Sequence, residues 1–194
     1  MKRLIGLTGG VAAGKSEASN ILKELGACIV DADEIAREAA EDPEIKEKLK
    51  ETWPQAFSQN TLDRKHLGRI IFSSKVEREK LNKIVHPWIL MHCLGAIKKC
   101  PEEICVLVAP LLVENGLDSM VDEIWVIDAP EELRLKRVME REKISKDEAL
   151  QMLRSQLSSE EKRDVANSII ENNGSLEALR KTLKKKWESI KNEK

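Results

Sequence analysis

The chain has 194 residues, enough for one compact α/β domain with an insertion, and its 41% hydrophobic content supplies a core. Charged residues make up 35% with both signs mixed and a net charge of −1, which excludes the basic footprint of a whole-protein nucleic-acid binder. No apolar run approaches the ~20 residues that cross a bilayer. The basic start Met1-Lys2-Arg3 is followed by an apolar run too short and too glycine-broken for a signal peptide, so a cytoplasmic protein with no nucleic-acid or membrane partner and no evident obligate protein partner is expected.

In chain order, Leu4–Thr8 reads as a buried strand. Glu17–Leu25 then reads as a helix, with Ala18, Ile21, Leu22 and Leu25 on one face and Gly26 as its stop. Between them lies "GLTGGVAAGKS", in which Gly9-Gly10-Val11-Ala12-Ala13-Gly14-Lys15-Ser16 fits G-x-x-x-x-G-K-[S/T] in the strand–helix context that motif requires. Small residues let backbone N–H groups converge on phosphate oxygens, and the helix start adds its positive end. Lys15 suits the β- and γ-phosphates, and the Ser16 hydroxyl suits Mg²⁺. A nucleoside triphosphate is the ligand this predicts.

Cys28-Ile29-Val30 is a second strand, followed by "DADEIAR". Asp31 and Asp33, two apart where a strand ends, either act together on a hydroxyl or a metal's water shell, or cap the helix over Glu34–Ala40. Residues 35–102 break the alternation. They hold no convincing strand, carry helical patches at Ile45–Thr52 and Arg64–Ile71, and include Pro43, Pro54 and Pro87. They read as a mostly helical insertion. Three further strands follow at Ile104–Ala109, Glu123–Ala129 and Ser168–Ile170, separated by helical stretches, so the core is a parallel sheet covered on both faces. Arg137 and Arg141 lie four apart on one helix face, either closing over phosphates or pairing with Glu140 and Glu142. From Leu176 onward the chain is one basic amphipathic helix, read as a solvated face. The four cysteines show no C-x-x-C pair and are expected to be reduced, inert thiols.

Several ordered pieces together resemble the dephospho-coenzyme A kinases, small P-loop kinases related in fold to nucleoside monophosphate kinases. "IGLTGGVAAGKS" is similar to that family's phosphate loop and "VDADEIAR" to its acidic signature. "LDRKHLGRIIFSS" and "LNKIVHPWI" are similar to its substrate-binding insertion. "APLLVE", "DEIWVIDAP", "RLKRVMERE" and "RSQLSSEEKRDVANSIIENNG" continue the pattern to about Gly174.

The resemblance implies a five-stranded parallel sheet flanked by helices. It places the nucleotide-binding core at residues 1–34 and 103–194, a lid at about 134–160 within it, and an acceptor-binding insertion at 35–102. It implies ATP and Mg²⁺, and transfer of phosphate to the ribose 3′-hydroxyl of dephospho-coenzyme A. By the same resemblance Asp33 is the base, with Lys15 and Arg141 also catalytic. Gly9 to Glu17 and Arg137 hold ATP, Ser16 the metal, and Asp31, Arg64, His86 and Pro87 the acceptor, with His86 not catalytic. Arg64 also reads as a surface arginine at a helix start, and His86-Pro87 as a structural turn.

Three positions depart from the pattern: Val11-Ala12-Ala13 where a further glycine is common, Val113 where an aromatic is common, and Asn167 where an aspartate is usual. A GTPase switch is the rival of another class. Its N-K-x-D guanine reader is approached only by Asn82-Lys83-Ile84-Val85, which lacks the aspartate. A nucleoside monophosphate-type kinase is the nearer rival.

Overall fold

The structure, a computed structural model, describes residues 2–192 other than the side chain of Phe72. Strand β1 (Arg3–Gly9) leads through the glycine loop to α1 (Lys15–Glu24) and β2 (Cys28–Asp31). The next segment holds α2 (Ala32–Ala39), α3 (Pro43–Thr52), a hairpin of β3 (Phe57–Ser58) and β4 (Thr61–Leu62), α4 (Arg64–Ser73) and α5 (Lys75–Lys99). The chain then runs through β5 (Ile104–Val108), β6 (Glu123–Asp128), α6 (Glu131–Glu142), α7 (Lys146–Arg154), α8 (Ser159–Asp164), β7 (Ser168–Glu171) and α9 (Leu176–Asn192). Two compact units result: Asp31–Lys98, and the chain up to Val30 with that from Lys99 onward.

In the second of these, the sheet order is β2-β5-β1-β6-β7, and the β1–β5, β1–β6 and β6–β7 pairs are parallel. The five-stranded parallel sheet is the predicted one. Its first strand is its centre, so the loop after β1 opens at the carboxyl edge, where α/β sheets take their ligands. On one face Ile5, Leu7, Val106, Val108, Trp125 and Ile127 pack against Ala18, Ile21 and Leu22 of α1 and Leu179, Leu183, Trp187 and Ile190 of α9. Those α9 positions fall at helical spacing, and each large apolar side chain contributes about 1.5–3 kcal/mol on burial. On the opposite face a Cβ at Gly6 would meet Leu112 Cδ2 at 2.7 Å, so the segment after β5 lies directly on the sheet. The predicted tail helix is α9; Glu193 and Lys194, like Met1, lie outside the described residues.

The unit Asp31–Lys98 has its own core of Ile45, Leu49, Trp53, Ala56 and Leu67. Two of its prolines are well placed for helix starts: Pro43 opens α3 and Pro54 opens a 3₁₀ turn. Pro87 instead lies inside the 25-residue helix α5, which corrects the reading of His86-Pro87 as a turn. A proline ring removes one interior hydrogen bond, and here the helix continues through that loss. The unit also contains a strand pair that the sequence reading lacked. β3 and β4 are two residues each, joined by Gln59 and Asn60 at φ +46° and +68°. That is the primed turn of a tight hairpin, formed without the glycine that usually signals it.

The cysteines also differ from expectation. Cys28 and Cys100 form a disulfide with Cα atoms 6.0 Å apart, while Cys93 and Cys105 are free thiols. Burial, and behind it the Asp31 carboxylate, pushes the Cys93 thiol up to about 11, so it stays protonated and inert at neutral pH.

Candidate active site

The turn after β1 is built by backbone geometry that side chains resist. Gly9 has φ +152°, and a Cβ there would sit 2.3 Å from the Ile127 carbonyl oxygen. Gly14 has φ +103°, and a Cβ would meet Asn172 Nδ2 at 2.1 Å. Glycine is therefore required at both ends of the loop. Gly14 is also the N-cap of α1, and no side chain caps that helix. The contrast with other helices is informative: α2, α3, α4, α7 and α8 are capped by Asp31, Asp42, Asp63, Ser145 and Ser158. The leading N–H groups of α1 thus point to no side-chain acceptor, which is what a phosphate-binding helix start requires.

Lys15, the first residue of α1, donates from Nζ to the carbonyls of Gly9 and Gly10 at 2.8 and 2.9 Å, holding its charge over the loop. Ser16 and Glu17 follow, both exposed. At the loop's tip Val11 and Ala12 pack against Val138, Ala149 and Leu153 of the α6–α7 hairpin. Ala12 takes the left-handed conformation at φ +57°, at a cost of roughly 1–2 kcal/mol for a non-glycine residue.

Helix α6 supplies the arginines. Arg137 donates to the Ala12 carbonyl at 3.2 Å and to the Asn172 carbonyl at 3.4 Å, so it reaches the loop. Arg141 does not: its Nε donates to the exposed Glu142 at 2.7 Å. The side chain that the sequence reading missed is Arg134. It is 7% exposed, its Nε donates to the Ala129 carbonyl, and its Nη1 stands 2.3 Å from where a Gly10 Cβ would be. Beside the hairpin, a cleft of about 650 Å³ is lined by Asp128, Pro130, Arg134, Arg154, Gln156 and Arg163. Gln156 Oε1 is buried there without a hydrogen-bond partner.

A buried ion pair braces the same unit. Lys162, with 0% of its side chain exposed, reaches Glu114 Oε1 at 3.0 Å. It also donates to the Pro110 carbonyl at 2.6 Å. Glu114 Oε1 accepts the Leu157 N–H at 3.1 Å, and Pro110 O accepts the Thr8 hydroxyl at 3.2 Å. Thr8 directly precedes the glycine loop and Leu157 follows α7, so one network joins both segments.

In the unit Asp31–Lys98, Asp31 caps α2: its Oδ1 accepts the N–H groups of Asp33 and Glu34 at 2.8 and 3.2 Å. Asp33 is exposed in the first turn of α2, just past the carboxyl end of β2. Arg64 opens α4, and its Nη2 donates to the Arg37 carbonyl and to Glu41 at 3.1 and 2.7 Å. His86, on α5, has Nε2 buried without a partner.

Residues 3–178 match the dephospho-CoA kinase family. The chain belongs to that family. It is 42% identical to the dephospho-CoA kinase of Carboxydothermus hydrogenoformans over 95% of this chain and 94% of that one. It is 38% identical to the enzyme of Fusobacterium nucleatum over 96% and 98%. Among solved structures, a Thermus thermophilus protein superposes with a TM-score of 0.88 at 33% identity, covering 97% and 98% of the two chains. The dephospho-CoA kinase from Campylobacter jejuni gives 0.71 at 30% identity over 98% of each. Shikimate kinase from Acinetobacter baumannii, at 19% identity, TM-score 0.58 and coverage of 100% and 96%, shares the P-loop kinase fold alone.

Two departures from the family pattern now have physical roles. The methyl groups of Val11 and Ala12 are seated under α6–α7, where a glycine would contribute no contact. Asn167 accepts the Ile124 N–H at 2.7 Å and donates its own to the Ile124 carbonyl at 2.9 Å, pinning the start of β7 to β6. An aspartate oxygen accepts the same bond, so the exchange keeps the one contact this position makes to Ile124 N–H. For Val113 nothing in the structure explains the exchange.

Proposed function

We propose that this protein transfers the γ-phosphoryl group of ATP to the ribose 3′-hydroxyl of dephospho-coenzyme A, yielding coenzyme A and ADP, the last step of coenzyme A synthesis. The observation that carries the reading is the uncapped, glycine-bounded start of α1 with Lys15 over it, in a chain matching the family across residues 3–178. Phosphoryl transfer has a loose transition state with charge spread over the equatorial oxygens, so positioning and electrostatics supply most of the rate.

Lys15, Arg137 and Arg134 provide positive charge around the loop, and the loop's N–H groups hold the phosphates. The cleft beside Arg134 takes the nucleoside end of ATP, with Gln156 offering an unsatisfied acceptor to an exocyclic amine. Ser16 suits Mg²⁺: it is a hard oxygen donor, exposed one residue past Lys15 at a helix start with no capping side chain. When bound, the ion neutralises developing phosphate charge. Asp33 is the base for the acceptor hydroxyl. Asp31 sets its position by capping α2, and Arg141 is a lid residue that leaves Glu142 when substrate is present. Residues 35–102 hold the acceptor, through Arg64 on a phosphate and the His86-Pro87 segment. No helix among the described residues is long and apolar enough to cross a membrane, and a cytoplasmic enzyme follows from this reading.

The test is ADP release across a panel of acceptors. Dephospho-coenzyme A is expected to raise it far above the ATPase background, and its 3′-deoxy analogue to bind without being phosphorylated. Comparable turnover with AMP, CMP or shikimate would transfer the assignment to another kinase type.

Within this reading, Lys15→Ala removes a charge that follows the γ-phosphate into the transition state, an interaction worth roughly 3–4 kcal/mol. Turnover is expected to fall on the order of 10²–10³-fold with the fold intact. A variant with wild-type kcat and an unchanged melting curve would remove Lys15 from the mechanism.

A further inference from the structure

Three of the four cysteines converge at the amino-terminal end of the sheet, opposite the phosphate loop. The Sγ atoms of Cys28, Cys100 and Cys105 all lie within 4.8 Å of one another, and those of Cys100 and Cys105 are 3.7 Å apart. Cys28 opens β2, Cys105 is the second residue of β5, and these strands are neighbours in the sheet. A disulfide engages two of the three sulfurs and leaves the third, on the fully buried Cys105, beside it. A second, independent feature is Glu102, whose Oε2 is buried with no hydrogen-bond partner. Glu102 lies two residues after Cys100 and three before Cys105 in the chain.

We propose that, when its disulfide is reduced, the protein binds one Zn²⁺ through the thiolates of Cys28, Cys100 and Cys105, with the Glu102 carboxylate, which lies outside that cluster as it stands, turning in as fourth ligand. Zinc takes four such donors with Zn–S of about 2.3 Å, which places the sulfurs of one site roughly 3.8–4.0 Å apart. The spacing of Cys100 and Cys105 already falls near that range. Cys100, Glu102 and Cys105 come from one short stretch and Cys28 from the adjoining strand, so little chain must be reordered. Coordination also gives the orphaned Glu102 oxygen a partner, and the Lys2 ammonium, which donates to the Cys100 carbonyl, offsets part of the ligand charge.

The chemistry balances in two steps. A dithiol reductant gives two hydrogens to Cys28 and Cys100 and closes its own disulfide. Zn²⁺ then displaces three protons from the three thiols, and the carboxylate binds as it is. The seven residues of β1 separate this end from the phosphate loop by roughly 20 Å, so the ion is structural and takes no part in phosphoryl transfer.

The experiment uses the full chain, without nucleotide, reduced with a dithiol and then freed of it under anaerobic conditions. Titration with Co²⁺ is expected to give thiolate-to-metal charge-transfer and tetrahedral d–d absorption saturating at one equivalent, abolished by Zn²⁺, with a rise in melting temperature. The oxidised wild-type protein, folded but with its disulfide closed, is expected to give neither signal. Cys93→Ser binds as wild type, Glu102→Gln binds about 10–100-fold more weakly, and Cys105→Ser loses the charge-transfer band. The proposal is overturned if reduced wild-type protein shows no such band, if the oxidised protein shows it equally, or if Glu102→Gln and Cys105→Ser both bind as wild type. Should Cys105→Ser not fold, the oxidised protein and Glu102→Gln still decide the matter.

Discussion

Turnover of the Asp33→Asn variant is expected to fall by ~10²–10⁴-fold, with ATP affinity nearly unchanged. Asparagine keeps the size and hydrogen-bonding reach of the side chain and removes only the carboxylate proposed as base. Because the transition state is loose, proton removal lags behind bond cleavage, and the low end of that range is expected. Asp31 provides the control. Its Oδ1 holds the first turn of α2 through the N–H groups of Asp33 and Glu34. Asparagine caps helices as well as aspartate does, so Asp31→Asn is expected to keep most of the activity, while Asp31→Ala loses about 1 kcal/mol of helix stability. The measurement is kcat and ATP Kd for all three at saturating Mg²⁺. Greater loss of kcat in Asp31→Asn than in Asp33→Asn, or an Asp33→Asn defect confined to Mg-ATP affinity, would move Asp33 from base to metal site.

Glu114→Ala is expected to destabilise the fold by about 3–5 kcal/mol, because it strands a fully buried ammonium. Lys162 has two partners, Glu114 and the Pro110 carbonyl, and its side chain has no access to water. For a chain of this length each kcal/mol shifts the melting temperature by ~2–4 °C, so the loss is large. The diagnostic comparison is the double variant Glu114→Gln with Lys162→Met. With both charges gone the desolvation cost disappears as well, and stability is expected to recover most of the way to wild type. Thermal melts of Glu114→Gln, Lys162→Met and the double close the cycle, with Glu114→Ala measured beside them. A Glu114→Ala melting temperature within ~2 °C of wild type would mean that the pair contributes almost nothing.

What the sequence displayed and what it hid follow one division. The phosphate loop was legible because its chemistry is local: eight consecutive residues, a strand before and a helix after. The central sheet was legible because strands buried on both faces read as apolar runs. Arg134 was the avoidable omission. It shares a helix face with Arg137 and Arg141 at spacings of three and seven, so the periodicity that singled out those two already included it. Its position against Gly10, and the withdrawal of Arg141 to Glu142, depend on how α6 sits over the loop, and no local pattern encodes that. The Glu114–Lys162 pair joins residues 48 positions apart, each unremarkable among many acids and lysines. Helix α5 was hidden by its own Pro87, which breaks the usual rule. The β3–β4 hairpin was hidden by strands of two residues, too short for alternation to register.

The disulfide has a topological consequence. Cys28 and Cys100 bracket the whole of Asp31–Lys98, so their bond turns that stretch into a covalent ring, with the sequence separation of 72 residues as its circumference. By chain entropy alone, closing a ring of this size removes freedom from the unfolded protein worth roughly 4 kcal/mol. A protease that cuts once anywhere inside the ring opens it without liberating a fragment. Under denaturing conditions both sides of the cut travel together until a reductant opens the disulfide, and only then do two pieces separate; in the folded protein β1, held between β5 and β6, ties them still.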